Sequence, residues 1–365
     1  MMFFFAAVTC RWRLKVRTTI HLGCVVLGFC FAVTLSGYGA ERGSRLADGE
    51  QKSKSDVRME RSRDRGMFVH DPSTIVRCKD EYWLFSTGRG IRSRRSTDIM
   101  KWESGPSVFS TPPAWTSKVV PGNRGYFWAP DVIHLKDRFL LYYSVSRWGA
   151  KTSAIGLAAR ATLDPAEADC NWTDCGIVIQ SGESDDFNAI DPAVTDDANG
   201  NLWLAFGSFW SGIKLIQLDP STGKRIGPDS PVYSLAYHES IEAPFIYNHG
   251  GWYYLFVNWG LCCRGVKSTY NIRVGRSAEI TGPYIDKRGV NMLNDGGSLF
   301  LQTVGKFIGP GHAGIFSEGG KYWFSYHYYD AERRGLATLG IRPLQWNADG
   351  WPEVGEPLDL ADNKN

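Results

Sequence analysis

Five stretches of this 365-residue chain place a carboxylate or an imidazole beside Pro, Gly or Ala and then open an apolar run. They are FVHDPSTIV around Asp71, WAPDVIHL around Asp131, NAIDPAV around Asp191, SIEAPFIY around Glu242 and GPGHAGIF around His312. The steps between these residues are 60, 60, 51 and 70 positions. Two carboxyl groups across a cleft are what hydrolysis of a glycosidic bond requires. One protonates the departing oxygen, and the other activates water or attacks directly. A third carboxylate nearby can keep the acid protonated by like-charge repulsion. A lone Asp-Pro is an ordinary turn initiator, so the joint recurrence carries the chemistry and no single motif does.

The recurrence also sets the elements that must hold these groups. Each motif is followed by a turn and then by an aromatic-rich run: EYWLFS, FLLYYS, LWLAFGS, WYYLFVN and KYWFSYH. Such runs have strand composition, and the intervening KD, NGN, HGG and EGG are hairpin chemistry, because Gly and Asn tolerate positive φ. Further strands are predicted at 155–160, 213–219 and 271–277, and no stretch keeps a helical apolar period. Five units of this length, each with room for four strands, predict an all-β fold, a five-bladed β-propeller, over residues 67–358, in preference to a sandwich or a β-helix. In a propeller the first strand of each blade lines the central channel. The five motif residues are therefore expected to converge at one mouth from equivalent depths.

Composition agrees with this picture. The chain is 43% hydrophobic and 13% aromatic, with 14 Trp and 40 Gly, which suits many short strands and tight turns. The formal charge of +3 misleads, because residues 1–40 hold four cations (Arg11, Arg13, Lys15 and Arg17) and no acid. The rest carries 37 basic and 38 acidic residues. A body that close to neutral gives no electrostatic footprint for nucleic acid.

RWRLKVR at 11–17, the apolar run after it and SGYGA read as a signal peptide over residues 1–40, with cleavage near Gly39 or Ala40. An uncleaved membrane anchor is the alternative, since the run is close to spanning length. Either places the body outside the cytoplasm, secreted or periplasmic. Residues 41–66 hold eight basic and six acidic side chains and almost no large apolar one, so they are expected to form a flexible linker. PLDLADNKN at the end reads as a short tail with no accessory domain. Of the five cysteines beyond the leader, Cys170 and Cys175 could close a small surface loop. Cys262 and Cys263 could pair as neighbours or remain thiols, and a zinc site is not expected.

HDPS at 70–73, WAPD at 128–131, AIDPA at 189–193, IEAP at 241–244 and GPGHAG at 309–314 together resemble glycoside hydrolase family 43. STYNIRVGRS at 268–277 and ITGPY at 280–284 are similar to its endo-1,5-α-L-arabinanase branch, and the resemblance runs over roughly residues 67–355. It implies a five-bladed propeller and inverting hydrolysis. Asp71 matches the general base, Glu242 the general acid, and Asp191 the carboxylate that raises the acid's pKa and orients it. His312 matches an axial histidine near a bound ion, usually calcium and largely water-coordinated. In the family the WAPD aspartate is structural or lies beside the site, so Asp131 is left outside the trio. An inverting pair is expected about 6.5–9.5 Å apart, leaving room for water.

Among the remaining side chains, Trp128 is a candidate stacking surface for a sugar face. Asn188 and Ser208 are candidate partners for furanose hydroxyls, with Trp115, Phe209 and Trp210 as further subsites. His70 is expected as a neighbour of the base. The implied substrate is arabinan of the plant cell wall, with no protein partner. The loop LCCRGVKSTYN at 261–271 favours internal cleavage. The rivals are an exo-acting α-L-arabinofuranosidase or β-xylosidase on the same fold, and a carbohydrate-binding propeller without catalysis.

Overall fold

The computed structural model describes residues 68–167 and 171–360. The leader, the linker, Cys170 and the last five residues of the tail lie outside the described residues. Among the described residues no helix is long and apolar enough to cross a membrane.

The described residues form five antiparallel sheets in chain order, the five predicted blades. Blade 1 is Val76–Cys78, Glu81–Ser86, Arg92–Ser96 and Glu103–Ser104. Blade 2 is Tyr126–Leu135, Arg138–Val145, Ser153–Arg160 and Thr173–Ser181, with Gly88–Arg89 added at its inner edge. Blade 3 is Ala193–Asp196, Leu202–Phe206, Ile213–Asp219 and Lys224–Arg225, and Tyr233–Ala236 also pairs with its third strand. Blade 4 is Ile241–His249, Trp252–Trp259, Asn271–Ser277 and Ser298–Leu301. Blade 5 is Phe307–Glu318, Lys321–Asp330, Leu336–Trp346 and Pro352–Val354.

The second strands explain their own composition. Arg138–Val145 and Leu202–Phe206 are buried almost without interruption. A blade is covered by a neighbour on each face, so both sides of the strand must be apolar, and alternation disappears. The hairpins follow the predicted chemistry: Gly250-Gly251 and Gly319-Gly320 all have positive φ, from 57° to 81°. The ring is closed where Val69 donates its N–H to Ala337 O at 3.0 Å and Phe68 bridges Thr338. Val69, Ile75 and Leu84 there share one core with Phe316, Leu339 and Ile341 of blade 5.

The backbone corrects the expected register of the five motifs. The residues that share one conformation are Asp71, Ala129, Asp191, Ala243 and His312, with φ of 50°, 41°, 56°, 54° and 57°. Their steps are 58, 62, 52 and 69 residues. Asp131 and Glu242 are therefore not equivalent to Asp71: one lies two residues after the shared position, the other one residue before it. Left-handed backbone at a non-glycine residue costs about 1–3 kcal/mol and persists only where the surroundings over-determine it.

That surrounding is a ring of latches between blades. Thr87, Ser144, Asn258 and His327 each lie across the strand pair from the residue just before the shared position of their own blade. Each reaches forward to the next blade. Thr87 Oγ1 accepts from Ala129 N (2.8 Å) and Ser144 Oγ from Asp191 N (2.9 Å). Asn258 Oδ1 accepts from His312 N (3.0 Å), and His327 Nδ1 from Asp71 N (3.2 Å), which completes the circuit. In blade 3 the latch position is Gly207, which has no side chain and sits against Gly212 O, where a Cβ would come to 2.5 Å. The orphaned donor, Ala243 N, is taken by Asp191 Oδ2 at 3.2 Å instead.

Asp131 serves the frame. Oδ1 accepts from Thr74 N and Oδ2 from Val194 N, both at 2.8 Å, so one buried carboxylate ties blade 2 to blades 1 and 3. Asp131→Ala would leave two buried N–H groups without acceptors, each costing about 1–3 kcal/mol. The expected result is a melting temperature lower by roughly 5–10 °C, read by differential scanning calorimetry. An unchanged melting temperature would show that the tie does not hold the blades.

Candidate active site

A cavity of about 1250 Å³ is lined by Asp71, Trp128, Asn188, Asp191, Ser208, Glu242 and His312. The predicted trio, the predicted sugar contacts and the predicted ion-site histidine thus share one chamber, to which every blade contributes. Asp131 is absent from its walls, as the backbone register requires.

Asp71 sits among histidines. Oδ2 is 2.8 Å from His70 Nδ1 and accepts from Thr87 Oγ1 at 2.5 Å. Oδ1 is 3.1 Å from His312 Nδ1, an ion-pair contact. Burial opposes ionisation of Asp71, but the charges of His70 and His312 and their hydrogen bonds hold it well below the usual carboxylate range. His70, in turn, loses by burial and gains more from Asp71, which pushes it up to about 10. His70 Nε2 also bonds Tyr329 OH at 2.8 Å. His70 is the predicted neighbour of the base, and it supplies a positive charge.

Glu242 is in the opposite state. Burial first, and then the charge of Asp191, raise its carboxyl to about 8. Asp191 is raised to about 6 by burial, with the charge of Asp71 acting in the same direction against that of His312. Its Oδ2 is bound to the N–H of Ala243, the residue after Glu242. The missing latch at Gly207 therefore brings the third carboxylate beside the second. Near neutral pH the cavity holds one carboxylate kept ionised and one carboxyl kept protonated, which is the division of labour an acid–base hydrolysis uses.

The other predicted contacts separate. Asn188 lines the cavity at 3% exposure, and its Oδ1 is buried without a partner. Trp128 lines the wall half-buried. Ser208 does not point a free hydroxyl outward: its Oγ bonds Glu242 Oε2 at 2.8 Å. Phe209 and Trp210 line the cavity as expected. Trp115 does not line it; it packs on Tyr143 and donates Nε1 to Asp174 Oδ1 at 3.2 Å. It anchors a short helix, Thr116–Val119, against the core of blades 1 and 2.

Cys262 and Cys263 are free thiols on the cavity wall, so of the two readings the unpaired one holds. Cys263 Sγ lies 3.7 Å from His70 Nε2. A hydrogen bond from Cys262 and the charge of His70 pull the Cys263 thiol down to about 5 against its burial. Cys175 is a free, half-buried thiol, and its proposed partner lies outside the described residues. Sequence reasoning missed Thr87, Asn258, Tyr270, His327 and Tyr329. Their roles are contacts across strands and blades, and only the STYN run containing Tyr270 gave any local signal.

For a metal, ligand atoms of His70, Asp71 and His327 lie within 4.8 Å of one another among the described residues. This set is rich in nitrogen, and His327 Nδ1 is already occupied by Asp71 N–H. Calcium takes six to eight oxygens, so these residues do not form a calcium cage. His312 lines the cavity with Nδ1 3.1 Å from Asp71, so Nε2 is the nitrogen left to meet a hydrated ion.

A five-bladed propeller whose central cavity pairs an ionised Asp with a protonated Glu defines a class of protein, the hydrolases that split a bond between an acid and a base. The sequence profile of the glycosyl hydrolases family 43 matches residues 66–352, and the chain belongs to that family. It is 43% identical over 302 residues to an extracellular exo-α-(1→5)-L-arabinofuranosidase of Cellvibrio japonicus, covering 79% of this chain and 86% of that one. It is 42% identical over 292 residues to the extracellular endo-α-(1→5)-L-arabinanase 1 of Bacillus subtilis, covering 78% and 87%. The solved structure of Cellvibrio cellulosa α-L-arabinanase complexed with arabinohexaose superimposes with a TM-score of 0.76 at 41% identity, over 80% of this chain and 96% of that one.

Proposed function

We propose that this glycosidase cleaves α-1,5-L-arabinofuranosidic bonds of arabinan within the chain, with inversion, and that it does so outside the cytoplasm. The observation that carries the reading is the split in protonation between Asp71 and Glu242 across one cavity. In the proposed mechanism Asp71 takes a proton from water as that water attacks the anomeric carbon. Glu242 gives its proton to the departing oxygen, and Asp191 keeps Glu242 protonated until then. Trp128 would stack on a furanose ring, and Asn188 on the same wall would bond one of its hydroxyls. Arabinan and export are supported by the names of the relatives, two of which are called extracellular.

The exo reading has its own support in the Cellvibrio japonicus relative. One experiment separates the alternatives: digestion of linear arabinan followed by proton NMR and chromatography. The expected outcome is short oligosaccharides whose newly formed reducing ends are first β. Monomer alone would mean exo action, first-formed α ends would mean retention, and no release by folded protein would leave a binding module.

A hydrated calcium ion would be held beside His312 largely through its own waters, with the imidazole neutral in that state, and would supply positive charge near the reacting carboxylates. EDTA is expected to lower activity by roughly two- to tenfold, less than loss of a catalytic acid or base would, and added calcium should restore it. Absence of metal by elemental analysis, with no response to EDTA, would remove it.

A further inference from the structure

Both oxygens of Glu242 are already engaged, and neither partner belongs to the carboxylate ring. Ser208 Oγ of blade 3 holds Oε2 at 2.8 Å, and the Tyr270 hydroxyl bonds Oε1. Tyr270 closes the loop between the second and third strands of blade 4 and stands immediately before Asn271–Ser277. It is 3% exposed, yet it reaches the cavity wall. Space for its ring comes from the fifth motif: a Cβ on Gly311 would meet Tyr270 Cδ2 at 2.5 Å. Asn258 fixes both sides of that glycine, donating to Pro310 O at 3.0 Å and accepting from His312 N at 3.0 Å. The contact between phenol and carboxyl is thus set by the rigid junction of blades 4 and 5.

We propose that Tyr270 is a positioning residue for proton delivery by Glu242, a role that rests on the reading of Glu242 as the acid. A phenol that donates to Oε1 makes that atom the carbonyl-like oxygen and leaves the acidic proton on Oε2. In the reaction the Oε2–H bond breaks, and a new O–H bond forms on the glycosidic oxygen. The electron pair of the C–O bond leaves with that oxygen. Glu242 becomes a carboxylate, and its bonds from Tyr270 and Ser208 become charge-assisted. An interaction that strengthens as the proton departs lowers the barrier without tightening the ground state. Asp191 from blade 3, Asp71 from blade 1 and His312 from blade 5 also act on Glu242 through their charges, and the test variant leaves all three in place.

The test is Tyr270→Phe, which keeps the ring and removes the donor. On linear arabinan kcat should fall roughly 10- to 100-fold, the range of one hydrogen bond to a charged group, with KM little changed. The alkaline limb of the kcat profile should move to higher pH, because a donor to the ionised form is gone. An arabino-oligosaccharide bearing a dinitrophenolate leaving group needs no protonation, and its hydrolysis should be nearly unaffected. Ser208→Ala should shift the limb in the same direction. Equal losses on both substrates with an unmoved limb would overturn the proposal and leave Tyr270 a packing residue, as would a limb that moves to lower pH. Glu242→Gln is the control: if that variant still hydrolysed arabinan, the acid assignment itself would fail, whatever Tyr270 does.

Discussion

Glu242→Gln is expected to abolish hydrolysis of arabinan while making the protein more stable. General-acid catalysis contributes roughly 10²–10⁴-fold, so kcat on the natural substrate should drop by about that factor. A substrate with an activated leaving group should lose far less. The stability effect follows from the same carboxyl. Its native pKa of about 8 lies above the ordinary 4.5, so the native state binds this proton more tightly than the unfolded chain does. That contribution is complete below the ordinary value and is lost as pH rises through about 8. Glutamine cannot ionise and keeps polar atoms for Ser208 and Tyr270. The variant should therefore match the parent in melting temperature near pH 4.5 and exceed it increasingly above pH 6, by roughly 5–10 °C at pH 8–9. Scanning calorimetry over that range checks it. A difference that does not grow with pH would mean that Glu242 is not held protonated by its surroundings.

Asp71→Asn should cost as much activity and have the opposite effect on stability. Removing the base is expected to lower kcat by about 10³–10⁴-fold on arabinan and on activated substrates alike, since both need an activated water. That contrast with Glu242→Gln assigns the two roles. Asp71 is held well below the ordinary carboxylate range, so its contribution is present above the ordinary value and lost as pH falls through the native one. His70, raised to about 10, contributes fully below its ordinary value and loses that contribution as pH rises through about 10. At neutral pH the pair supports the fold, and asparagine forfeits the attraction while leaving His70 and His312 facing each other's charge. The variant should melt several degrees lower at pH 6–7, on the order of 1–3 kcal/mol. Equal stability there would mean that the His70–Asp71 contact at 2.8 Å does not act as an ion pair.

The raised carboxyl of Glu242 owes part of its shift to one structural substitution. Four of the five latch positions carry a side chain, and the fifth is Gly207. Where the latch is missing, a carboxylate that could have faced only water is bound to the backbone beside Glu242. The hydrogen-bond pattern that frames the propeller thus also places Asp191, whose charge adds to burial in raising Glu242.

Much of this was legible in the chain. Repetition of strand-opening motifs specified five blades, because each blade is one unit that cannot bury its faces alone. Paired glycines specified hairpins, because positive φ is cheap only there. Convergence of strand starts on the axis singled out Asp71, Asp131, Asp191, Glu242 and His312, and the resemblance to family 43 alone set Asp71, Asp191 and Glu242 apart. What the chain could not show is anything carried between blades. Asp131 and Asp71 look alike in sequence, yet one ties three blades together and the other faces the cavity. A shift of two residues past a left-handed backbone position makes the difference. Ser208 and Tyr270 meet on Glu242 from 34 and 28 residues away, and His327 closes the ring on Asp71 across 256. Protonation states belong to the same category, since burial and neighbouring charge act through space. Local pattern determined which residues could do chemistry; only the packing of blade against blade decided which of them share one cavity, and in what charge state.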